Sequence, residues 1–212
     1  MIADLFAESR TLTLDPGAML LGGFALGVAP ALLEGVAAIA AAAPFRQMAT
    51  PGGRRMSVAM TNCGAAGWVT DAAGYRYATA DPLSGRPWPA MPPAFRDLAR
   101  RAATAAGFAG FDPDACLVNL YRPGARMAPH QDIDERDMGE PIVSVSLGLS
   151  ATFLWGGAAR GDPKRRLRID HGDVLVWGGP ARRTFHGIAP LAAGTQPDTG
   201  ETRINLTFRR AL

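Results

Sequence analysis

The sequence predicts a mainly β domain with flanking helices, and three observations support this α+β fold class. From Ala115 onward the chain consists of short β-prone stretches separated by turn residues, a spacing typical of a sandwich or barrel. Two stretches earlier in the chain are rich in helix-forming residues instead. The 212 residues are 48% hydrophobic and 19% charged, which is enough apolar side chain for one domain with a substantial core.

Two helices are predicted in the first half of the chain. Residues 31–43 are alanine-rich and lie between Pro30 and Pro44, so we expect a helix that packs against the body of the domain. Residues 94–106 follow a proline-rich loop over 81–93 and place Phe95, Leu98 and Ala102 on one buried side.

Between these helices the pattern changes to that of strands. Residues 54–62 alternate, with Met56, Val58 and Met60 on one side, which is the period of a half-buried strand. Residues 67–77 carry aromatic side chains on both sides of a turn at 71–74. We expect the two stretches to form one antiparallel ribbon.

The C-terminal half supplies the remaining strands of the predicted sandwich or barrel. Glycines fall at or near the ends of these stretches, as turns require. The predicted strands cover residues 115–121, 142–149, 152–155, 166–169, 174–177, 184–188 and 202–209.

Composition excludes several classes of protein. Residues 17–33 carry no charge, but four glycines and Pro30 interrupt them and Glu34 ends them, so neither a membrane span nor a signal peptide is expected. Cys63 and Cys116 lack a C-x-x-C neighbour, so we expect no disulfide framework and a reducing, cytoplasmic location. The net charge of +3 is compatible with a polyanionic partner without requiring one.

A metal site is suggested by the tripeptide His130-Gln131-Asp132. Residues i and i+2 of an extended chain share a face, so an imidazole nitrogen and a carboxylate oxygen can bind one metal ion. His186, in a later predicted strand, is placed to supply a third ligand. Two histidines and one carboxylate leave three positions open, which suits non-haem Fe(II) oxygenases, although H-x-D alone fits a solvated loop equally well.

The last predicted strand has one wholly polar face. Period two places Arg203, Asn205, Thr207 and Arg209 together, opposite apolar residues. An edge strand facing water would look the same. However, Asn119 and Tyr121 repeat the pattern in a second strand. Two polar-faced strands beside a metal site indicate a lined cavity, and arginine there suits a dicarboxylate that also chelates the metal.

Two other classes of function remain open at this stage. A zinc hydrolase uses the same ligand types, but it gives no reason for two arginines on a polar strand face. A non-catalytic nucleic-acid-binding module explains the basic and aromatic residues, but it leaves His130, Asp132 and His186 without a role.

Over nearly its full length the sequence resembles the AlkB family of Fe(II)- and 2-oxoglutarate-dependent dioxygenases, and within it the bacterial AlkB-type DNA-repair demethylases. The resemblance rests on long strings that occur in the same order. They are PFRQM (44–48), MSVAMTNCG (56–64), WPAMP (88–92), DPDACL (112–117), HQD (130–132), PIVSVSLG (141–148), HGDV (171–174), VWGG (176–179) and NLTFR (205–209).

The resemblance implies a double-stranded β-helix, the jelly roll of the cupin-like group, with an N-terminal nucleotide-recognition lid. It implies a single domain over residues 1–212. Within it, 1–44 form an N-terminal extension and packing helix, 45–92 the substrate-recognition lid, and 93–212 the helix and catalytic core.

The resemblance also implies roles for individual residues. His130, Asp132 and His186 hold Fe(II). Arg203 with Asn119 and Tyr121 binds the distal carboxylate of 2-oxoglutarate, with Asn205 in the same site and Arg209 near the keto-acid end. Trp68 stacks on a flipped base opposite His130, and Asp134 lies close to that base. The other implied substrate contacts are Tyr75, Met60, Ser144 and Arg160.

The activity implied is O2-dependent demethylation of 1-methyladenine- or 3-methylcytosine-type bases, with release of formaldehyde, succinate and CO2. The expected partner is alkylated DNA, single strands before duplex, with RNA as the alternative, and the expected state is a monomer with no membrane association. Basic residues expected near the entrance are Arg54, Arg55, Arg76, Arg126 and Arg160.

Some positions are expected to be structural or depart from the family's pattern. His171 is predicted to be a structural histidine, and Trp88 and Trp177 core aromatics. Arg54 stands where family members carry a lid tyrosine. Trp155 stands where they carry phenylalanine, and its place in a core strand predicts a packing variation.

Overall fold

Two antiparallel sheets enclose a cavity in the computed structural model, which describes residues 11–212. The first ten residues of the predicted N-terminal extension lie outside the described range. Two helices and thirteen strands are found within it. They are β1 (Thr11–Asp15), β2 (Ala18–Leu21), α1 (Ala29–Ala42), β3 (Ala59–Gly64), β4 (Gly67–Asp71), β5 (Gly74–Ala78), α2 (Pro93–Ala105), β6 (Ala115–Tyr121), β7 (Met127–His130), β8 (Ile142–Gly148), β9 (Ala151–Trp155), β10 (Arg165–Ile169), β11 (Val174–Trp177), β12 (His186–Ile188) and β13 (Arg203–Arg209).

The strands form a seven-stranded sheet, a four-stranded sheet and a separate hairpin. The large sheet runs β1-β2-β11-β8-β13-β6-β3, the small sheet runs β10-β9-β12-β7, and β4 pairs only with β5. Large-sheet residues such as Trp177 and small-sheet residues such as Phe153 and Ile188 belong to one core cluster between the sheets. The predicted mainly β jelly-roll fold is confirmed.

Both helices cover the outer face of the large sheet. Each has a proline in its first turn, where the missing N–H costs no hydrogen bond. Phe95 of α2 meets Phe208 of β13 edge to face, with ring centroids 5.9 Å apart. Neither helix of residues 11–212 has the length and apolar character needed to cross a membrane.

Strand β13 lies in the middle of the large sheet, between β8 and β6, and all seven of its residues are buried. Ile204, Leu206 and Phe208 face the helices, in the second core cluster. The alternate residues Arg203, Asn205, Thr207 and Arg209 line the cavity on the other side. Its polar face therefore does not belong to a solvent-exposed edge strand.

The ribbon predicted from residues 54–62 and 67–77 is wrong in one respect. The hairpin β4–β5 forms with its turn at 71–74, but β3 pairs with β6 as the last strand of the large sheet. Its residues Met60 to Cys63 are buried, because the strand is covered on both faces. The alternation at residues 54–62 thus leads into a strand that begins at Ala59 and is buried on both faces, and alternation does not identify the strand with which it pairs.

Three strands are not predicted from the sequence. The hairpin β1–β2 extends the large sheet because β2 pairs with β11, and only β2 lies in residues 17–33, the stretch considered for a membrane span. The short strand β7 contains Pro129, which breaks the usual strand pattern. Otherwise the predicted helices and C-terminal strands are confirmed, with shifts of one or two residues at their ends.

Candidate active site

His130, Asp132 and His186 come together at one end of the small sheet. His130 ends β7 and is directly opposite His186, the first residue of β12. Asp132 lies in the loop after β7, with its oxygens 3.6 Å from His130 Nε2 and 3.7 Å from His186 Nε2. One ligand atom from each residue lies within 4.8 Å of the others, so a single metal ion can contact all three.

The backbone orients both imidazoles toward this point. His130 Nδ1 and His186 Nδ1 each lie 3.0 Å from the carbonyl oxygen two residues earlier. An N–H at Nδ1 donates to that oxygen and leaves the Nε2 lone pair free for a metal. Gly187 allows the two strands to approach, because a Cβ there would lie 2.6 Å from the Met127 oxygen.

Electrostatics keep His186 and Asp132 in their metal-binding protonation states. Burial lowers the pKa of His186 to about 4, with His130 contributing, so the imidazole is neutral near pH 7. Burial alone would raise the pKa of Asp132, but Arg209 and the two histidines hold it well below its usual range. Arg209 Nη2 donates to Asp132 Oδ2 at 2.8 Å.

The same cavity contains a buried guanidinium with few partners. Arg203 is 1% exposed, lies 4.9 Å from the Tyr121 ring centroid and donates through Nη2 to Ser146 Oγ at 3.0 Å. Its Nε and Nη1 have no hydrogen-bond partner, and no acidic side chain among residues 11–212 forms an ion pair with it. A buried charge left in this state is costly unless a ligand neutralises it.

Amide and hydroxyl side chains form a second polar group in the same cavity. Asn205 Nδ2 donates to Ser144 Oγ at 2.8 Å, and Asn205 Oδ1 accepts from Asn119 and Thr207. Ser144, which the resemblance assigns to the substrate, lines this cavity beside Asn205. The side-chain oxygen of Asn119 has no donor. These residues fit a dicarboxylate that reaches from Arg203 to the metal ligands.

The hairpin β4–β5 places its aromatic residues outside this cavity. Trp68 on β4 stacks on Tyr75 of β5, with centroids 5.7 Å apart and rings 19° from parallel. Its indole Nε1 donates to Asp134 Oδ2 at 2.7 Å. Asn62 of β3 holds the Trp68 backbone through two 3.0 Å hydrogen bonds, one donated and one accepted.

The remaining residues implied as substrate contacts lie at different depths. Met60 is 1% exposed in the core and pairs across strands with Asn119. Arg160 Nη1 donates to the Pro129 carbonyl at 2.7 Å, and its guanidinium lies 5.1 Å from the Phe185 ring centroid, next to the strand that carries His130.

The residues predicted to be structural divide into three groups. His171 Nδ1 accepts a 3.0 Å hydrogen bond from the Gly148 N–H, which confirms a structural contact. Trp88 and Trp155 are buried in the core, as predicted, and Trp155 Nε1 donates to Asp15. Trp177 is also buried, but it lines the cavity with its ring centroid 4.9 Å from that of His186.

Sequence reasoning did not identify the buried charged residues behind Asp132. Glu135 pairs with Arg182 at 2.9 Å and lies 3.2 Å from Arg209, and Tyr77 donates to it at 2.7 Å. Glu135 and Arg182 lie in polar loops that resemble solvated surface. The one feature of the sequence that points toward this buried cluster is Tyr77, which faces the same side of the hairpin as Trp68.

The fold and this site define a non-haem Fe(II) dioxygenase that depends on 2-oxoglutarate. The family model of the 2OG-Fe(II) oxygenase superfamily matches residues 17–209. The cofactor of this dioxygenase is Fe(II), and its co-substrates are 2-oxoglutarate and O2.

Comparison with individual proteins gives the family. The chain is 56% identical over 210 residues to the alpha-ketoglutarate-dependent dioxygenase AlkB of Salmonella typhimurium, covering 98% of this chain and 97% of that protein. It is 54% identical to AlkB of Escherichia coli K12, with the same coverage. The structure of OsALKBH1 superposes with a TM-score of 0.80 at 28% identity, covering 93% of this chain and 100% of that one. The chain therefore belongs to the AlkB family.

Proposed function

We propose that this dioxygenase removes N-linked methyl groups from bases of the 1-methyladenine and 3-methylcytosine type in DNA, as a direct-reversal repair enzyme. The observation that carries the proposal is one cavity that holds three metal ligands and a buried guanidinium without an acidic partner among residues 11–212. Beside it lies the hairpin β4–β5, which carries Trp68 and which we take as the lid. The products expected are the repaired base, formaldehyde, succinate and CO2.

The cavity residues divide the binding of iron and 2-oxoglutarate between them. His130, Asp132 and His186 would hold Fe(II), and Arg203 with Asn119 and Tyr121 would bind the distal carboxylate of 2-oxoglutarate. Bound iron and 2-oxoglutarate supply the O2-dependent oxidation of the methyl carbon. Asn205 orients Asn119 and Ser144, while Arg209 fixes the Asp132 carboxylate.

The lid supplies the contacts for the base. A methylated base in a duplex must be flipped out to reach the metal, at a cost of a few kcal/mol that a single strand avoids. We assign Trp68 and His130 to the two faces of the flipped base, Asp134 to its polar edge, and Tyr75 to the outer side of Trp68, on which it stacks. Met60 and Ser144 support this site from the strands behind it.

Backbone phosphates would bind to arginines on two neighbouring loops. Ser57 Oγ donates to the Arg126 carbonyl and accepts from the Arg126 N–H, so the loop with Arg54 and Arg55 lies against the loop with Arg126. No acidic residue occurs in residues 49–70 or 115–131, so the positive charge there is not balanced locally. Arg160 extends the basic surface beside His130, whereas Arg76 on the hairpin is paired with Asp71 at 2.8 Å, which balances its charge.

The test combines metal exchange with a panel of substrates. After dialysis against a chelator, the proposal expects Fe(II) to restore formaldehyde release and Zn(II) to leave the protein inactive. Single-stranded and duplex DNA and RNA with 1-methyladenine, 3-methylcytosine or etheno adducts are then scored by formaldehyde and loss of mass. Activity restored by zinc would favour a hydrolase. RNA turned over faster than DNA would make RNA the substrate, and turnover of no methylated base would overturn the proposal.

We further propose a cytoplasmic monomer. Cys63 and Cys116 face one another across β3 and β6 as free, buried thiols, as expected in a reducing compartment. Sedimentation of the purified protein at micromolar concentration tests the monomer.

A further inference from the structure

A polar cluster beneath the lid, in which Glu135 and Arg182 are buried and Tyr77 is half-buried, takes no part in the functions assigned so far. It consists of Tyr77 on β5, Glu135 in the loop after the metal ligands, and Arg182 before β12. The side chains of Glu135 and Arg182 are only 2% and 3% exposed, so they are closed off from any nucleic acid. Their role must lie in what they hold in place.

Arg182 holds the loop that carries Asp132, Asp134 and Glu135. It donates to the Asp132 carbonyl at 2.7 Å, to the Glu140 carbonyl at 2.9 Å and to Glu135 Oε2 at 2.9 Å. The guanidinium therefore contacts the loop at three points. The Glu135 carboxylate is presented in a fixed position under the hairpin as a result.

The hairpin is attached to this loop by two hydrogen bonds from one face. Trp68 and Tyr77 are cross-strand partners, so their side chains lie on the same side. Trp68 Nε1 donates to Asp134 Oδ2 at 2.7 Å near the surface, and the Tyr77 hydroxyl donates to Glu135 Oε1 at 2.7 Å in the interior. Consecutive acidic residues thus receive the two bonds.

Only one of these bonds can persist when a base enters. Under the proposed function, Asp134 must turn from Trp68 to the edge of the base, so the outer bond is exchanged. The inner bond involves no atom that the base contacts. We infer that the Tyr77–Glu135 hydrogen bond anchors the hairpin, and with it Trp68, over the metal ligands while the base takes over Asp134. Tyr77 and Glu135 are then positioning residues for the reaction, and the inference rests on the proposed function.

Burial keeps Tyr77 in the form that donates this hydrogen bond. Burial raises the pKa of Tyr77 well above its usual range, so its hydroxyl remains a donor. Arg182 and Arg209 lie 2.9 and 3.2 Å from the oxygens of the Glu135 carboxylate, and these two ion pairs hold it in place. A hydrogen bond to a charged acceptor is stronger than a neutral one, which suits an anchor.

The test separates oxidation of 2-oxoglutarate from oxidation of the base. Tyr77→Phe removes only the donor, and Glu135→Asp withdraws the carboxylate from its reach. Both should retain succinate formation but lower formaldehyde released per succinate about tenfold on a single-stranded 3-methylcytosine oligonucleotide. In the metal-free protein, both should also speed amide hydrogen exchange across residues 67–78. Thr70→Val is the matched control, because it removes a hydroxyl of the same hairpin that bonds instead to the Ala49 carbonyl.

The outcomes distinguish this inference from the proposed function. A ratio and an exchange rate equal to those of wild type in Tyr77→Phe would overturn the anchor, as would an equal fall of the ratio in Thr70→Val. If wild type itself releases no formaldehyde, the proposed function fails, and hydrogen exchange alone then decides whether the bond holds the hairpin. If Tyr77→Phe does not fold, Glu135→Asp gives the same two readings.

Discussion

The three proposed metal ligands differ from His171 in what their side chains contact. His130 and His186 turn Nε2 toward Asp132, whereas His171 accepts a hydrogen bond from the Gly148 backbone. We therefore expect His130→Ala, Asp132→Ala and His186→Ala to lose most Fe(II) binding and His171→Ala to retain it. Anaerobic Fe(II) titration measures this, and strong binding by His186→Ala would contradict the ligand assignment.

Arg203 is the residue on which binding of 2-oxoglutarate should depend most. Its Nε and Nη1 lack partners, so a carboxylate bound against the guanidinium gains charge-assisted hydrogen bonds, which contribute about 1.5–3 kcal/mol each. Arg203→Ala should therefore weaken 2-oxoglutarate binding by about tenfold or more. Arg203→Lys should restore binding only partly, because lysine lacks the planar fork. Calorimetric titration with Mn(II) in place of Fe(II) gives both values, and an unchanged Kd in Arg203→Ala would exclude this role.

The hairpin β4–β5 is the element that should separate base oxidation from 2-oxoglutarate oxidation. Trp68 lies on the hairpin and outside the cavity, so Trp68→Ala should spare uncoupled succinate formation. Loss of aromatic stacking, about 1–3 kcal/mol per base, should weaken use of single-stranded substrate by roughly an order of magnitude. Duplex substrate also carries the cost of unpairing, so it should be affected more. Equal demethylation by wild type and Trp68→Ala would make Tyr75 the next candidate.

Asp81, in the loop that follows the hairpin, should stabilise the folded protein at neutral pH and lose this effect in acid. Burial would raise the pKa of Asp81, but hydrogen bonds from Arg46, the Leu83 N–H and Ser84 lower it to about 2. A lowered folded-state pKa stabilises the protein above the unfolded value near 3.8, and this contribution disappears as the pH falls toward 2. Asp81→Asn should cost roughly 1–2 kcal/mol at pH 7 and at pH 5, and less at pH 3. Urea unfolding at the three pH values measures the difference, and one that does not shrink at pH 3 would rule out the titration of Asp81 as its source.

A strand can be predicted from the sequence when its two faces meet different surroundings, because polar and apolar residues then alternate along it. Strand β13 alternates because one face meets the helices and the other the cavity, so both its position and its chemistry are predictable. The alternation at residues 54–62 predicts a strand that overlaps β3 but not its pairing with β6, and Pro129 obscures the strand pattern of β7. The hydrogen bond between Tyr77 and Glu135 joins residues 58 positions apart, and no local pattern predicts it.

At the scale of the whole molecule, the polar interior predicts stabilisation by ligands. A ligand present at about 100 times its Kd stabilises the folded state by about 2.7 kcal/mol. For a chain of this size that corresponds to a rise in Tm of roughly 5–10 °C. Mn(II) with 2-oxoglutarate should produce such a rise in wild type. In Arg203→Ala only the smaller effect of Mn(II) should remain, as measured by scanning calorimetry, and an equal rise in the two proteins would show that Arg203 does not contact the co-substrate.

The N-terminal hairpin also has a consequence for the solubility of the molecule. Strand β2 occupies the free side of β11, whose residues Val174 to Trp177 are all buried. Without β1 and β2, four consecutive apolar residues would present unpaired backbone N–H and C=O groups, and such an edge recruits strands from other molecules. The hairpin thus protects the sheet against intermolecular β-pairing, and molecules in which it failed to dock would be prone to aggregate.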